Sequence, residues 1–288
     1  MRSKKFVLSL VFVLIFAAAA SAASTAVNII KLGMLSKLNI EESGYNKFMA
    51  AGITSGKFDT FSRSANHMHN GDNTIVSFHD SLNALLLALD SNKVDEIALP
   101  GVIARYILQH NEGKYRTACI VRPIRSGLAI GFKDTALRDR VNEALAGIES
   151  DGTLADIVDK YVFDILFKHR DDEPGAVKFE QFEGAETIKV AVTGALPPVD
   201  YIAADGTPDG FNIAILAELA KRLKVNIELV NIDAGARASA LSSGRVDAVF
   251  WFQVLRDLPA AEQIDVPESV ALSEPYFIFY EYMHLSKK

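Results

Sequence analysis

Ile188-Lys189-Val190-Ala191-Val192 opens the stretch, residues 188 to 252, whose reading decides the fold. After this apolar run come Pro197-Pro198, a turn at Asp205-Gly206 and then Asp209-Gly210-Phe211. Next comes an amphipathic helix with Ile213, Leu216, Ala217, Ala220 and Leu223 on one face. A second strand is predicted from Ile227 to Val230, then a short helix ending in Leu241-Ser242-Ser243-Gly244-Arg245-Val246-Asp247, then a third strand from Ala248 to Phe252. Strands alternating with helices imply an α/β fold with a mostly parallel sheet.

Working outward, the same sentence of sequence occurs a second time. Leu82, Leu85, Leu86 and Leu89 mark a helix predicted to be capped by Asp80; it ends in Leu89-Asp90-Ser91-Asn92-Lys93-Val94-Asp95, with a strand at Ile97-Ala98-Leu99. Asn92 and Gly244 are the residue types that tolerate a left-handed helix stop, and Lys93 and Arg245 suit the negative helix end. Two lobes of similar build are therefore expected. Further elements are predicted at Ile29–Leu35 and Thr74–Phe78 (strands), Gly101–Gln109 (helix), Leu128–Phe132 (strand), a helix from Asp134 or Thr135 to Ile148, and another from Thr153 to Val162. Asn39 is read as a helix N-cap with Glu41 and Glu42 in the first turn, and 52–73 as mostly loop.

The 288 residues, 49% of them hydrophobic, suffice for substantial cores. A net charge of -6, with no basic stripe carrying interleaved aromatics, excludes a nucleic-acid footprint. Arg2, Lys4 and Lys5 precede an apolar run from Phe6 to Phe16 and small residues from Ala17 to Ala23, the layout of a secretory signal peptide over 1–23. With no cysteine behind that run, an exported protein without a lipid anchor is expected. The one cysteine, Cys119, cannot form an internal disulfide and is read as a buried apolar residue.

Val192-Thr193-Gly194, Pro197-Pro198, Asp205-Gly206, Gly210-Phe211, Ser243-Gly244-Arg245-Val246-Asp247 and Ser273-Glu274-Pro275-Tyr276-Phe277, in that order, resemble the opening lobe of the bacterial extracellular solute-binding proteins that serve polar amino-acid transporters. Gly131-Phe132-Lys133, Leu137-Arg138, Val141-Asn142, Asp151-Gly152-Thr153-Leu154 and Lys160-Tyr161 resemble the closing segment of the same family. The resemblance implies a two-lobed periplasmic-binding-protein-like fold with a ligand cleft between the lobes. It also implies an ABC transporter as partner, no cofactor, a periplasmic location, a monomer, and no membrane insertion after signal cleavage. Here the closing segment precedes the opening one, so the expected plan is a circular permutation: 27–127 the second lobe, 128–170 the closing strand and helices of the first, 171–186 a linker, 187–288 the rest of the first. Two incomplete copies completing each other between chains is the other arrangement with this order.

Ligands of open α/β sheets lie beyond the carboxyl ends of the strands. This nominates Thr193, Asp200, Tyr201, Arg237, Trp251, Phe252 and Gln253 on the first lobe, with Arg256 beyond them, and Lys37, Asn39 and Pro100 on the second. The resemblance implies an acid after the strand Ile97–Leu99 for a ligand ammonium, where this chain has Pro100. It also implies a Thr-x-x-Arg after the strand Ala248–Phe252, where this chain has Gln253-Val254-Leu255-Arg256. Arg237 or Arg256 could take over the carboxylate clamp, Lys37 at a helix start could meet an anion, and Trp251 and Phe252 could form an aromatic wall or fill the core. His67-Met68-His69 with His79 falls short of a four-ligand metal site. No nucleophile or phosphate-loop motif occurs. The resemblance implies a small polar metabolite, with an amino acid or a relative of one as the default ligand. A dehydratase using Asp200 and Glu274, or a sensor or partner-binding module without transport role, are the rival classes.

Overall fold

The computed structural model describes residues 29–36, 74–121, 126–167, 177–255, 266–279 and 281–288. The signal-peptide expectation, the helix start at Lys37 to Asn39, the His67–His69 loop and Arg256 lie outside these. Strands β1 (Ile30–Leu35), β2 (Thr74–His79), β3 (Glu96–Pro100), β4 (Tyr115–Val121) and β14 (Tyr282–Lys287) make one sheet, in the order β2-β1-β3-β14-β4. Strands β5 (Ser126–Phe132), β6 (Thr187–Val192), β10 (Asn226–Asn231), β11 (Ala248–Leu255) and β12 (Ala271–Leu272) make a second, in the order β10-β6-β11-β5-β12, with β13 (Phe277–Phe279) also paired to β5. A small third sheet joins β7 (Ala195–Leu196), β8 (Asp200–Ile202) and β9 (Pro208–Asp209).

The two large sheets follow one plan. In each, the first three strands in the order run parallel, and the fourth is antiparallel to both neighbours. In each, that fourth strand comes from the distant part of the chain: β14 enters the first sheet and β5 the second. The pairing of β5 is made within the one chain. Residues 282–287 are thus part of the first sheet rather than of the lobe expected over 187–288. Sequence patterning predicts no strand there, because the run Tyr-Met-His-Leu-Ser-Lys, buried nearly throughout, shows no simple apolar alternation.

Helices flank both sheets: α1 (Leu82–Asp90), α2 (Gly101–His110), α3 (Thr135–Ser150), α4 (Thr153–Val158), α5 (Phe211–Leu223) and the short α6 (Arg237–Ser242). Behind α4 the chain widens into a π-turn over Asp159–Phe163 and ends in a turn of helix at Asp164–Phe167. The N-cap of α1 is Ser81, whose hydroxyl accepts from the Ala84 N–H, and not Asp80 as the sequence suggested. Asp134 caps α3 as expected.

Leu85, Leu89, Ile97, Leu99, Ile103 and Leu285 fill the core of the first lobe in chain order, and Ile130, Ile148, Val190, Ile213 and Phe250 that of the second. The early and late pieces of the second sheet's lobe are locked by Arg222 of α5, which donates to Asp151 at 2.7 Å, between α3 and α4. The other face of that sheet holds a separate cluster of Ala129, Ala191, Leu241, Val246, Val249 and Phe252. Phe250 and Phe252 would share a face in a regular strand. They do not here, because the register with β5 slips between Val249 and Phe252, with Phe250 and Trp251 together opposing the single residue Ile130.

The repeated sequence folds the same way twice. Asn92 and Gly244 both have positive φ, 57° and 74°. The N–H of Lys93 and of Val94 bonds to the Ala88 carbonyl, and the N–H of Arg245 and of Val246 to that of Ala240. Asp95 then donates its N–H to Lys31 O and accepts from the Lys31 N–H, both at 2.8 Å. Asp247 makes the same pair of bonds with Lys189, both at 2.8 Å.

Candidate functional site

The carboxyl ends of β1 and β2 face those of β6 and β10, and the loops that follow these strands meet. On one side Ser36 and Asp80 are joined by a 2.6 Å hydrogen bond from the Ser36 hydroxyl to the Asp80 carboxylate. On the other lie Thr193 and Gly194 after β6, and Asn231 to Gly235 after β10. The Ala234 N–H donates to the Asp80 backbone carbonyl at 3.2 Å, directly across the gap.

Beneath the β6 side lies a buried polar network. Asp200, 1% exposed, accepts from the Thr193 N–H at 3.0 Å, the Gly194 N–H at 2.8 Å, the Thr193 hydroxyl, and the Asn212 amide at 3.2 Å. The Asn212 oxygen accepts from the Tyr276 hydroxyl at 2.8 Å. Burial pushes the Asp200 carboxyl above its ordinary value; the Thr193, Gly194 and Asn212 donors and the Arg237 charge pull the other way and do not prevail. Burial likewise raises Tyr276 well above the usual phenol range, and the Asp200 charge adds to it.

Arg237, also buried, opens α6 and donates from Nη1 to Phe250 O at 2.9 Å and from Nε to Ala234 O at 3.3 Å. Thr193, Asp200 and Arg237, nominated separately from sequence, are therefore brought to one corner of the second sheet. Asn212 and Tyr276 complete that corner and were not nominated. The available signal was a polar residue inside Phe-Asn-Ile-Ala-Ile, a run of α5 buried throughout.

The remaining nominees sit elsewhere. Tyr201 points away from Asp200 and donates to Asp209 at 3.3 Å at the base of the small sheet. Phe252 is fully buried and packs on Gly131, so it belongs to the lobe core and not to the gap. Trp251 lies at the register slip of β11.

Gln253 and Pro100 belong to the region where the chain crosses between sheets: the Tyr282 hydroxyl donates to Gln253 Oε1 at 2.5 Å, and Pro100 pairs with Tyr282. Beside them the Gly101 N–H donates to Glu281 O, and Arg105 reaches the Glu281 carboxylate at 2.6 Å. Glu274, the other carboxylate considered for catalysis, has its N–H bonded to the Asn142 side chain. His79 lies beside the Ser77 hydroxyl, and no group of three or more metal-ligating side chains occurs among the described residues.

What this corner can do chemically follows from where its donors point. The Thr193 and Gly194 N–H groups and the Asn212 amide are turned onto the chain's own Asp200, and the two named Arg237 donors onto backbone carbonyls. These donors hold the corner's shape. The loops that carry Ser36 and Asp80 on one side, and Thr193 and Asn231 to Gly235 on the other, border the gap.

Residues 188–254 match the family model of bacterial extracellular solute-binding proteins, family 3. The probable ABC transporter extracellular-binding protein YckB of Bacillus subtilis (strain 168) is 32% identical over 105 residues, 34% of this chain and 33% of that protein, so the chain spans about a third of this curated relative's length. Among solved structures, Tv2483 bound to L-arginine aligns at 14% identity over 91% of this chain and 79% of that one, with a TM-score of 0.43. The zinc-bound ligand-binding component of an ABC-type import system from Staphylococcus aureus aligns at 12% identity over 90% and 66%, with a TM-score of 0.42.

Proposed function

We propose that this chain, similar over residues 188–254 to the extracellular solute-binding proteins of family 3, is the solute-capturing component of an ABC import system. It is exported by a signal peptide over 1–23, acts as a periplasmic monomer, and takes a small polar metabolite between its lobes. The order of its segments is that of a circular permutation of the family plan. The observation that carries the reading is the pair of sheets built on one plan, whose strand ends face each other across Asp80 and Ala234.

The ligand is bounded by Ser36 and Asp80 on one side and by Thr193, Asn231 and Asp233 on the other, with the Asp200 network fixing the position of Thr193. Because Thr193, Gly194 and Asn212 already serve Asp200, an amino acid is held here through a different set of contacts from the family's carboxylate clamp. Catalysis has less support: the buried Asp200 is enclosed by donors, which leaves it no path to a substrate proton.

Native mass spectrometry of the protein purified from its own cells, followed by thermal unfolding with whatever solute is released, tests this. A true ligand at 100 times its Kd adds about 2.7 kcal/mol to stability. Product formation from that solute by the purified protein would instead establish an enzyme, and no stabilisation by any periplasmic metabolite pool would establish a module that has lost solute binding.

A further inference from the structure

Among the described residues, the loops of the two lobes touch in the gap at Asp80 and Ala234, and Gly235 makes that touch possible. Ala234–Ala236 is a single tight helical turn, closed by the Ala236 N–H donating to the Asp233 carbonyl, and its first N–H bonds to the Asp80 carbonyl of the opposite lobe. A methyl group placed on Gly235 would lie 2.9 Å from Asp80 Oδ1, 3.6 Å from Ser36 Cβ and 3.9 Å from Asp80 Cγ. These are the three atoms nearest to the added carbon outside the turn, and all of them belong to the opposite lobe. The Asp80 carboxylate is also tethered, since the Ser36 hydroxyl donates to it at 2.6 Å. The obstacle is thus held in place by its own lobe.

The closest obstacles to a side chain at 235 are thus atoms of the opposite lobe, so it is the approach of that lobe that a side chain here opposes. Alanine suits a helical turn better than glycine does. The helix α1 adds a second contact across the gap, against β7.

We infer that Asp80 and Ala234-Gly235 form a latch that favours the closed arrangement of the lobes through protein contacts alone, with Gly235 the residue whose missing side chain permits it. A solute then adds its differential affinity to an equilibrium already biased toward closure. The inference rests on the solute-binding reading only for this last consequence. The contact itself can be tested without any ligand.

The test is small-angle X-ray scattering of the full chain, stripped of small molecules by unfolding and refolding, for four proteins: wild type, Gly235→Ala, Asp80→Ala and the double variant. The wild type is expected to give the smallest radius of gyration, and Gly235→Ala a larger one with an unchanged circular-dichroism spectrum. The double variant is expected to return to the wild-type value, because removing the carboxylate removes the atom 2.9 Å away. A wild type already as expanded as Gly235→Ala would overturn the latch. So would an expansion that Asp80→Ala fails to relieve, since its cause would then lie elsewhere. Should Gly235→Ala lose its folded spectrum, the double variant decides: a folded protein with the wild-type radius supports the latch, and loss of the fold there too, or an expanded radius, overturns it. Solute capture by the wild type remains measurable under every outcome, so the two readings fail separately.

Discussion

Asp200 shows how a single side chain can hold a loop at the cost of its own ionisation. Four donors converge on its two oxygens, yet it is nearly inaccessible to water, and burial raises its affinity for a proton. A carboxyl whose folded value is raised contributes stability that is present below its unfolded value, about 3.9, and lost as pH climbs through the folded value. Stability of the wild type measured against Asp200→Asn should therefore fall as pH rises above about 4, read by urea unfolding at a series of pH values. Asp200→Ala, which leaves two backbone N–H groups and an amide without their acceptor, should cost about 2 to 4 kcal/mol at neutral pH. Sequence put Asp200 on the candidate list because it follows the prolines after a strand. It could not show that the side chain turns inward, since that depends on Asn212, 12 positions from it along the chain, and on Tyr276, 64 positions beyond Asn212.

At the scale of the element, the helix-stop and strand-start unit was legible because everything it needs is local: a left-handed residue, then a valine, then an aspartate. Its two copies, at Asp95 and Asp247, make the same two bonds to Lys31 and Lys189. Alanine at either aspartate should cost about 1 kcal/mol, and the two losses should agree within the error of chemical denaturation. The fate of Phe252 was not legible. One extra residue in β11 reverses which side chains face which core, and the register of a partner more than a hundred residues away decides where it falls. The ring of Phe252 sits where a Cβ on Gly131 would come within 2.1 Å. Gly131→Ala is accordingly expected to lose about 1 to 3 kcal/mol through overpacking, measured by the same unfolding curves.

For the whole molecule, the matching strand orders β2-β1-β3-β14-β4 and β10-β6-β11-β5-β12 make the proposed circular permutation physically reasonable. β14 is antiparallel to β3 and β1 parallel to it, so Lys287 and Ile30 reach the same edge of the first sheet, separated by two strand spacings, about 10 Å. A chain rebuilt with 177–288 first, a short flexible link, and then 29–167 should keep the thermal midpoint within a few degrees. A fall of tens of degrees would show that the observed order is needed for stability. The two-lobed plan could be anticipated from the repeated unit, whereas the return of β14 could not, because nothing local marks a strand whose two partners lie so far upstream. That exchange of inner strands has its own consequence for how the protein is made and broken. Residues 29–167 lack the strand that joins β3 to β4, and residues 177–288 lack the one that joins β11 to β12. Neither half is a separate folding unit; each is a template with a slot shaped for the other, and when expressed as two fragments they should remain unstructured apart and assemble on mixing.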